Sequence, residues 1–402
     1  MSVQRNRQAQ TGPKYDYLLM MAVAGLLIIG LMMIFSTTTF RGVRFDLGEH
    51  RFFPKQLAFV GAGLLVMFGM ARIPYHFWQK VSIPILLATL GLLAAVLVIG
   101  DEKFGGMRWL AEGSIQPSEA ARLAIIIYIA HWLSSKGARI REVTYGLVPF
   151  AVILGLVAGL IILQPNLSIA LLIVLTSVAM FFIAGGSTRQ IIVSGVLSCV
   201  PLVLLIMYSD YRRQRFFGFF SPEDDPYGSA SHMLQSKIAL GLGGLIGKGP
   251  GNGTQKFGYL PTPHTDSILA VLGEEWGLVG CLVVVGLFAF LAYRGFRVAM
   301  QAPDVYGAVL ASGVTCSLIF QALVNMAVVT ALVPTTGVPL PFVSYGGSSL
   351  ITSLAGVGLL LAVSRGSAAV ETERARGELA DRETHDFGRR DSRTRIPRPV
   401  RN

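Results

Sequence analysis

Residues 81–99 read VSIPILLATLGLLAAVLVI, nineteen positions without one ionisable side chain, entered directly from Lys80. A helix needs about 20 apolar residues to cross the hydrocarbon core of a bilayer, and this stretch supplies them plainly. Outward from it, nine further stretches answer to the same criterion: about 18–36, 55–71, 119–133, 144–163, 167–184, 189–207, 267–293, 306–330 and 347–364. The one at 119–133 is short and opens on polar residues. The fold expected is an all-α polytopic membrane protein of about ten transmembrane helices, with no cleavable signal ahead of the first.

Composition agrees. Charged residues are 14% of the 402, against about 25% in ordinary globular proteins, and many of them crowd into the tail after residue 365. So few charges cannot cover a soluble protein, which excludes soluble enzyme folds. Cys199, Cys281 and Cys316 each lie inside an apolar run and read as small buried hydrophobes. No CxxC pair occurs and the six histidines lack ligand spacing, so no metal site and no cofactor is expected, a divalent-cation requirement being left open. The net charge of +11 belongs largely to cytoplasmic segments and an Arg-rich tail, as the positive-inside rule requires. Nucleic acid is not an expected partner.

Lys and Arg near the span ends set the orientation. Arg5, Arg7, Lys14, Arg72, Lys80, Lys136, Arg139, Arg141, Arg294, Arg297 and the tail arginines fall on one side of ten crossings, which makes both termini cytoplasmic. Arg41, Arg44, Arg51 and Lys55 break the rule in the first outer loop. Two domains follow: a transmembrane domain over 1–365 and a polar, mixed-charge cytoplasmic tail over 366–402, expected to be disordered and in reach of anionic lipid headgroups. One long extracytoplasmic loop, about 208–265, joins helices seven and eight, and a loop of that length implies function. Within it Met233 to Ile246 reads as a short amphipathic helix, followed by the Gly-rich GLGGLIGKGPGNG.

Three polar clusters stand where ionisable groups are costly. Gln116-Pro117-Ser118-Glu119 has the form of a helix start, with Glu119 and Arg122 three apart and able to pair; it is either a cap with a structural ion pair or the polar wall of a cavity. Tyr211-Arg212-Arg213-Gln214-Arg215 suits lipid headgroups or a bound pyrophosphate, and Gly247-Lys248-Gly249 suggests backbone approach to a phosphate beside a cation. His264-Thr265-Asp266 precedes an apolar helix, so Asp266 is either an N-cap or a general base whose pKa is raised by partial desolvation. Glu274-Glu275 lie deeper on the same helix and are expected to hydrogen-bond inside the bundle. The third cluster, PTTGVPLPFVSYGGSSL at 334–350, needs an irregular backbone, tolerated at membrane depth only when buried in protein or lining a wet cavity. All three meet on the outer face.

These motifs resemble the SEDS family of bacterial cell-wall synthesis, typified by FtsW and RodA, over about Tyr15 to Ser364. They comprise RW then QPSE at 108–119, QPN at 164–166, YRRQR at 211–215, DP at 225–226, QS at 235–236, LPTPHTD at 260–266, GEEWGLVG at 273–280 and LPFVSYGGSSL at 340–350. YDYLL, QKFGYLP and NMAVVTALVPTTG lean toward the division-type FtsW branch over the elongation-type RodA branch. Four positions depart from the family pattern: Arg122 stands for its Lys, Asn166 for the Asp of QPD and Thr262 for the Glu of LPE, while Leu242 interrupts the common GSGG.

The resemblance implies a peptidoglycan glycosyltransferase that polymerises lipid II at the outer face of the bacterial cytoplasmic membrane, at the division septum. Asp266, matching the family's HTD Asp, would take the proton of the acceptor's 4-hydroxyl as undecaprenyl pyrophosphate leaves and a β-1,4 bond forms. Arg215, supported by Lys248 or Arg108, would meet the leaving charge. Substrate-binding positions expected beside it are Glu119, Arg122, Arg213, Gln235, Ser236, Lys256, His264 and Thr265. Partners implied are lipid II and lipid-linked glycan, a class B penicillin-binding protein acting as transpeptidase, other divisome proteins and membrane lipids. The competing readings are a RodA-like elongation polymerase, a lipid II flippase, for which broken helices and intramembrane charges would also serve, and an idle scaffold.

Overall fold

The computed structural model describes residues 15–45, 52–103, 106–109, 116–221 and 230–368. Arg5, Arg7, Lys14, Arg51, the Asp225-Pro226 motif and the tail from residue 369 lie outside the described residues, as do the side chains of Arg41, Arg44, Arg108 and Tyr211. The chain forms α1 (Tyr17–Phe45), α2 (Phe52–Arg72), a short α3 (Tyr75–Lys80), α4 (Ser82–Ile99), α5 (Pro117–Lys136), α6 (Val148–Leu163), α7 (Leu167–Ile183), α8 (Thr188–Met207), α9 (Asp210–Phe220), α10 (Ser231–Gly243), α11 (Ile268–Met300), α12 (Val305–Val329) and α13 (Gly347–Ala368). A small antiparallel hairpin, β1 (Asp101–Lys103) with β2 (Gly106–Trp109), sits between α4 and α5; the sequence reading did not anticipate it.

Each of the ten expected stretches is helical. Among the described residues seven of these helices are long and apolar enough to cross a membrane; α5, α7 and α8 occupy the other three stretches, α7 with 17 residues. Local chemistry sets several boundaries. Pro117 opens α5 in the first turn, where its missing N–H costs nothing. Asp304 caps α12 by accepting the Gly307 N–H at 2.7 Å. Leu65, Leu87, Val98, Val152 and Leu163 face outward, an arrangement that hydrocarbon solvates and water would not.

The interior belongs to α12, which packs against α5, α7 and α11 and carries buried Ser312, Thr315, Ser317, Gln321 and Asn325. The helices alternate between two ends. At one, Arg294 grips Asp16 at 2.5–3.2 Å, Tyr75 donates to Asp304 at 2.5 Å, and Arg365 donates to the Arg72 carbonyl at 2.8 Å. The start of α1 and the end of α13 therefore lie at the same end of the bundle. Asp266 lies at the other end.

Candidate active site

Asp266 precedes α11, but it does not cap it. The N-cap is Ser267, and no side chain accepts a hydrogen bond there. The carboxylate faces its neighbours instead: Oδ1 accepts from Thr262 Oγ1 at 2.6 Å and from Thr265 Oγ1 at 3.0 Å, and Oδ2 lies 3.5 Å from His232 Nε2. Thr262, which replaces a carboxylate of the family pattern, thus becomes a donor to the acid, from a backbone at φ +44°. Only 14% of the Asp266 side chain is exposed. Burial pushes its carboxyl up, but the hydrogen bond and charge of His232 and the two threonine hydroxyls outweigh burial and hold it below the ordinary carboxylate value. The expected upward shift is therefore corrected: Asp266 is ionised at neutral pH and is a weak base, not a strengthened one.

Above this acid runs the segment 330–346, and polar groups from four helices pin it. Asn325 on α12 donates to the Asp266 carbonyl at 2.9 Å and to the Val338 carbonyl at 2.8 Å. One turn earlier, Gln321 donates to the Pro339 carbonyl at 2.8 Å. Ser168 of α7 and Arg215 of α9 donate to the carbonyls of Thr336 (2.7 Å) and Thr335 (3.3 Å). Gln56 of α2 reaches the Ser344 carbonyl at 3.5 Å, and just beyond the segment Gln116, leading α5, donates to Ser348 Oγ of α13 at 3.0 Å. His264 stacks on Phe52 at 5.0 Å and accepts the Tyr345 N–H on its carbonyl at 2.9 Å. The irregular backbone expected here is real, and side chains of the surrounding helices satisfy its carbonyls at Thr335, Thr336, Val338, Pro339 and Ser344. Asn325 and Gln321 were missed from the sequence, although two amides four apart on one face of an apolar span were a usable signal.

The Gly-Lys-Gly stretch is not a phosphate cradle. At Gly277, φ is +67° and α11 kinks, so Glu274 and Glu275 lose the amides of Leu278 and Val279. Residues 244–249 supply the exchange: Lys248 and Gly249 N–H donate to the carbonyls of Glu274 (3.0 Å) and Glu275 (2.9 Å), while Leu278 and Val279 N–H donate to those of Gly244 (2.9 Å) and Leu245 (3.2 Å). The approach is close enough that a Cβ on Gly247 would lie 2.2 Å from the Glu275 carbonyl oxygen. The cations here are also engaged. Lys248 holds Glu274 at 2.8 Å. Lys256, 1% exposed, directs its ammonium to Glu275 (2.7 Å), the Gly251 carbonyl (2.7 Å) and Ser36 (2.9 Å). Three donors meet three acceptors, so Lys256 is an internal tie and does not face a substrate. Glu274 and Glu275 hydrogen-bond inside the bundle as expected.

Glu119 and Arg122 pair at 3.1 Å, almost fully buried, and Arg122 also donates to Gln321; they support the 330–346 segment through Gln321 and do not line an open wall. Asn166 donates to Ser118 at 3.2 Å. Ser236 is buried and its hydroxyl donates to the His232 carbonyl in its own helix at 2.8 Å, which leaves it a structural group. Gln235 is half-buried on α10 and Arg213 exposed on α9. Arg108 lies on β2, its side chain outside the described residues. Of the expected positions, the structure gathers Asp266, Thr265, His264 and Arg215 around one segment; Lys248, Lys256, Glu119, Arg122 and Ser236 are turned to internal partners.

The chain matches the family described as "Cell cycle protein", FtsW/RodA/SpoVE, over residues 17–369. A probable peptidoglycan glycosyltransferase FtsW of Trichlorobacter lovleyi is 40% identical over 88% of this chain and 94% of its own. Stage V sporulation protein E of Bacillus subtilis is 39% identical over 87% and 97%. Among solved structures, a chain from a peptidoglycan synthase complex, solved in work on the structural coordination of polymerization and crosslinking, has a TM-score of 0.73 at 30% identity, over 88% of this chain and 98% of that one. Rod shape determining protein RodA of Thermus thermophilus has a TM-score of 0.65 at 30% identity, over 87% and 97%.

Proposed function

The chain belongs to the FtsW/RodA/SpoVE family of cell cycle proteins, and on that footing we propose that it is a peptidoglycan glycosyltransferase of the FtsW type, with Asp266 as its base. It is a multi-pass protein of the cytoplasmic membrane. It polymerises lipid II at the outer face during septal wall synthesis, with both termini in the cytoplasm. The observation that carries the reading is one ionised carboxylate, mostly buried yet not sealed, held by Thr262, Thr265 and His232 at the end of the bundle away from the start of α1 and the end of α13.

In the reaction the acceptor's GlcNAc 4-hydroxyl attacks the anomeric carbon of the lipid-linked donor. The C–O bond to undecaprenyl pyrophosphate breaks with inversion, and the hydroxyl proton passes to Asp266. A carboxylate of lowered pKa cannot remove that proton in advance. Transfer must accompany bond formation, when the attacking oxygen becomes acidic. Arg215, tied to Thr335 beside the segment over Asp266, is the cation best placed to meet the departing diphosphate; Lys248, already neutralised by Glu274, is not. A class B penicillin-binding protein would cross-link the product. The likeness to a chain from a peptidoglycan synthase complex supports such a partner.

Polymerisation of purified lipid II by the full chain with its partner tests the reading. Asp266→Asn should abolish glycan product while the variant still purifies as a folded complex. Product formation at a rate within tenfold of wild type would end the assignment of Asp266 as base.

A further inference from the structure

His232 stands in the first turn of α10, with ring Nε2 2.7 Å from Ser267 Oγ and 3.5 Å from Asp266 Oδ2. The Ser267 hydroxyl has a single proton. Its oxygen also lies 2.9 Å from the Pro261 carbonyl, which can only accept, so the proton points there. The short contact with His232 must then be made by an N–H of the ring, and Nε2 carries hydrogen. What decides the charge of the ring is Nδ1, which is buried without a hydrogen-bond partner. With Nδ1 bare, the ring is a neutral donor shared between Ser267 and Asp266. With Nδ1 protonated, a full positive charge faces the carboxylate.

No other charged group competes at this ring among the described contacts. Lys237, on the same helix, is exposed. Glu274 and Glu275 of α11 are held by Lys248 and Lys256. Between Val305 and Val329, α12 carries no charged residue, and its titratable groups are Tyr306 at its far end and Cys316 in mid-helix.

We infer that His232 is a positioning residue for Asp266: neutral, its N–H keeps Ser267 and the carboxylate in register; charged, it clamps the carboxylate away from the acceptor hydroxyl. The inference rests on the reading of Asp266 as base. It moves the control of the acid side of the pH profile from the carboxylate, which stays ionised, to the imidazole.

The test is the pH profile of lipid II polymerisation by the full chain with its partner, for wild type, His232→Gln and His232→Ala. Wild type should lose rate on the acid side of its profile, the side on which a positive ring would face the carboxylate. His232→Gln retains an N–H donor for Ser267 but cannot charge. Its kcat at pH 8 should fall about three- to tenfold with KM for lipid II nearly unchanged, and its profile should lack that acid limb. His232→Ala, lacking the donor, should be slower than Gln; if it cannot be purified folded, the Gln profile decides alone. A wild-type profile without the acid limb, an unchanged limb in His232→Gln, or an Ala variant as fast as Gln would overturn the inference. Asp266→Asn separates the two readings. Activity in that variant removes the base assignment itself, whereas an inactive Asp266→Asn beside a Gln variant that keeps the wild-type limb removes only the role of His232.

Discussion

The carboxylate of Asp266 has three side-chain partners before any substrate arrives, and each of them favours its charged form. Its folded pKa lies below the value of an unfolded Asp, about 4, so the unfolded chain takes up this proton first as pH falls. The stabilisation from the Thr262 and Thr265 contacts is therefore complete above that value and is lost as pH drops through the lowered folded one. Thermal unfolding of the purified protein should show wild type melting above Asp266→Asn at pH 7, with the gap closing only below about pH 4. A gap already closed at pH 5 to 6 would mean that the carboxyl is raised, not lowered. His264-Thr265-Asp266 was legible as a motif because its residues are adjacent. Thr262 was legible only as a departure from the family pattern. His232 was not legible at all: it lies 35 positions before Ser267, and only the packing of α10 on α11 brings it to the acid.

The kink of α11 shows why short motifs misled. Gly247-Lys248-Gly249 reads as a phosphate site because glycines beside a cation allow close backbone approach, and the approach is there; its object is the broken hydrogen-bond ladder of the protein's own helix. Nothing local to 247–249 reports that Gly277, thirty positions on, frees two carbonyls and two amides. Lys256 likewise was expected among the substrate-binding positions, but Glu275 and Ser36 close around it. Breaking one member of a buried ion pair costs about 3–5 kcal/mol because the partner charge is stranded. Lys256→Met alone should therefore lower the unfolding free energy by that order, and Lys256→Met with Glu275→Gln should recover much of it. Purified variants in detergent, compared by chemical denaturation, give the measurement. A single variant as stable as wild type, with a raised KM for lipid II, would restore Lys256 to the substrate site.

At the level of the whole chain, apolar length was the most reliable signal, since a span must bury every backbone polar group in its own helix and its residues declare this one by one. All ten stretches came out helical, while the hairpin at 101–109 and the segment over Asp266 depend on long-range pairing and left no periodic trace. The same logic ties orientation to charge. Arg72, Lys80, Lys136, Arg139, Arg141, Arg294, Arg297 and Arg365 border helix ends remote from Asp266, and their number is the reason to place that end in the cytoplasm. Yet Lys55, Arg212, Arg213 and Arg215 stand at the Asp266 end, so the argument is a balance of charges and needs a direct test. Tyr259, 64% exposed, lies in the loop leading to Asp266, and Glu142, exposed, follows α5 at the opposite end. In a cysteine-free background on intact spheroplasts, a membrane-impermeant maleimide should label Tyr259→Cys and leave Glu142→Cys untouched until the membrane is permeabilised. The reverse pattern would turn Asp266 toward the cytoplasm, where no lipid-linked glycan strand is being extended, and a polymerase with this carboxylate as its base could not then be maintained.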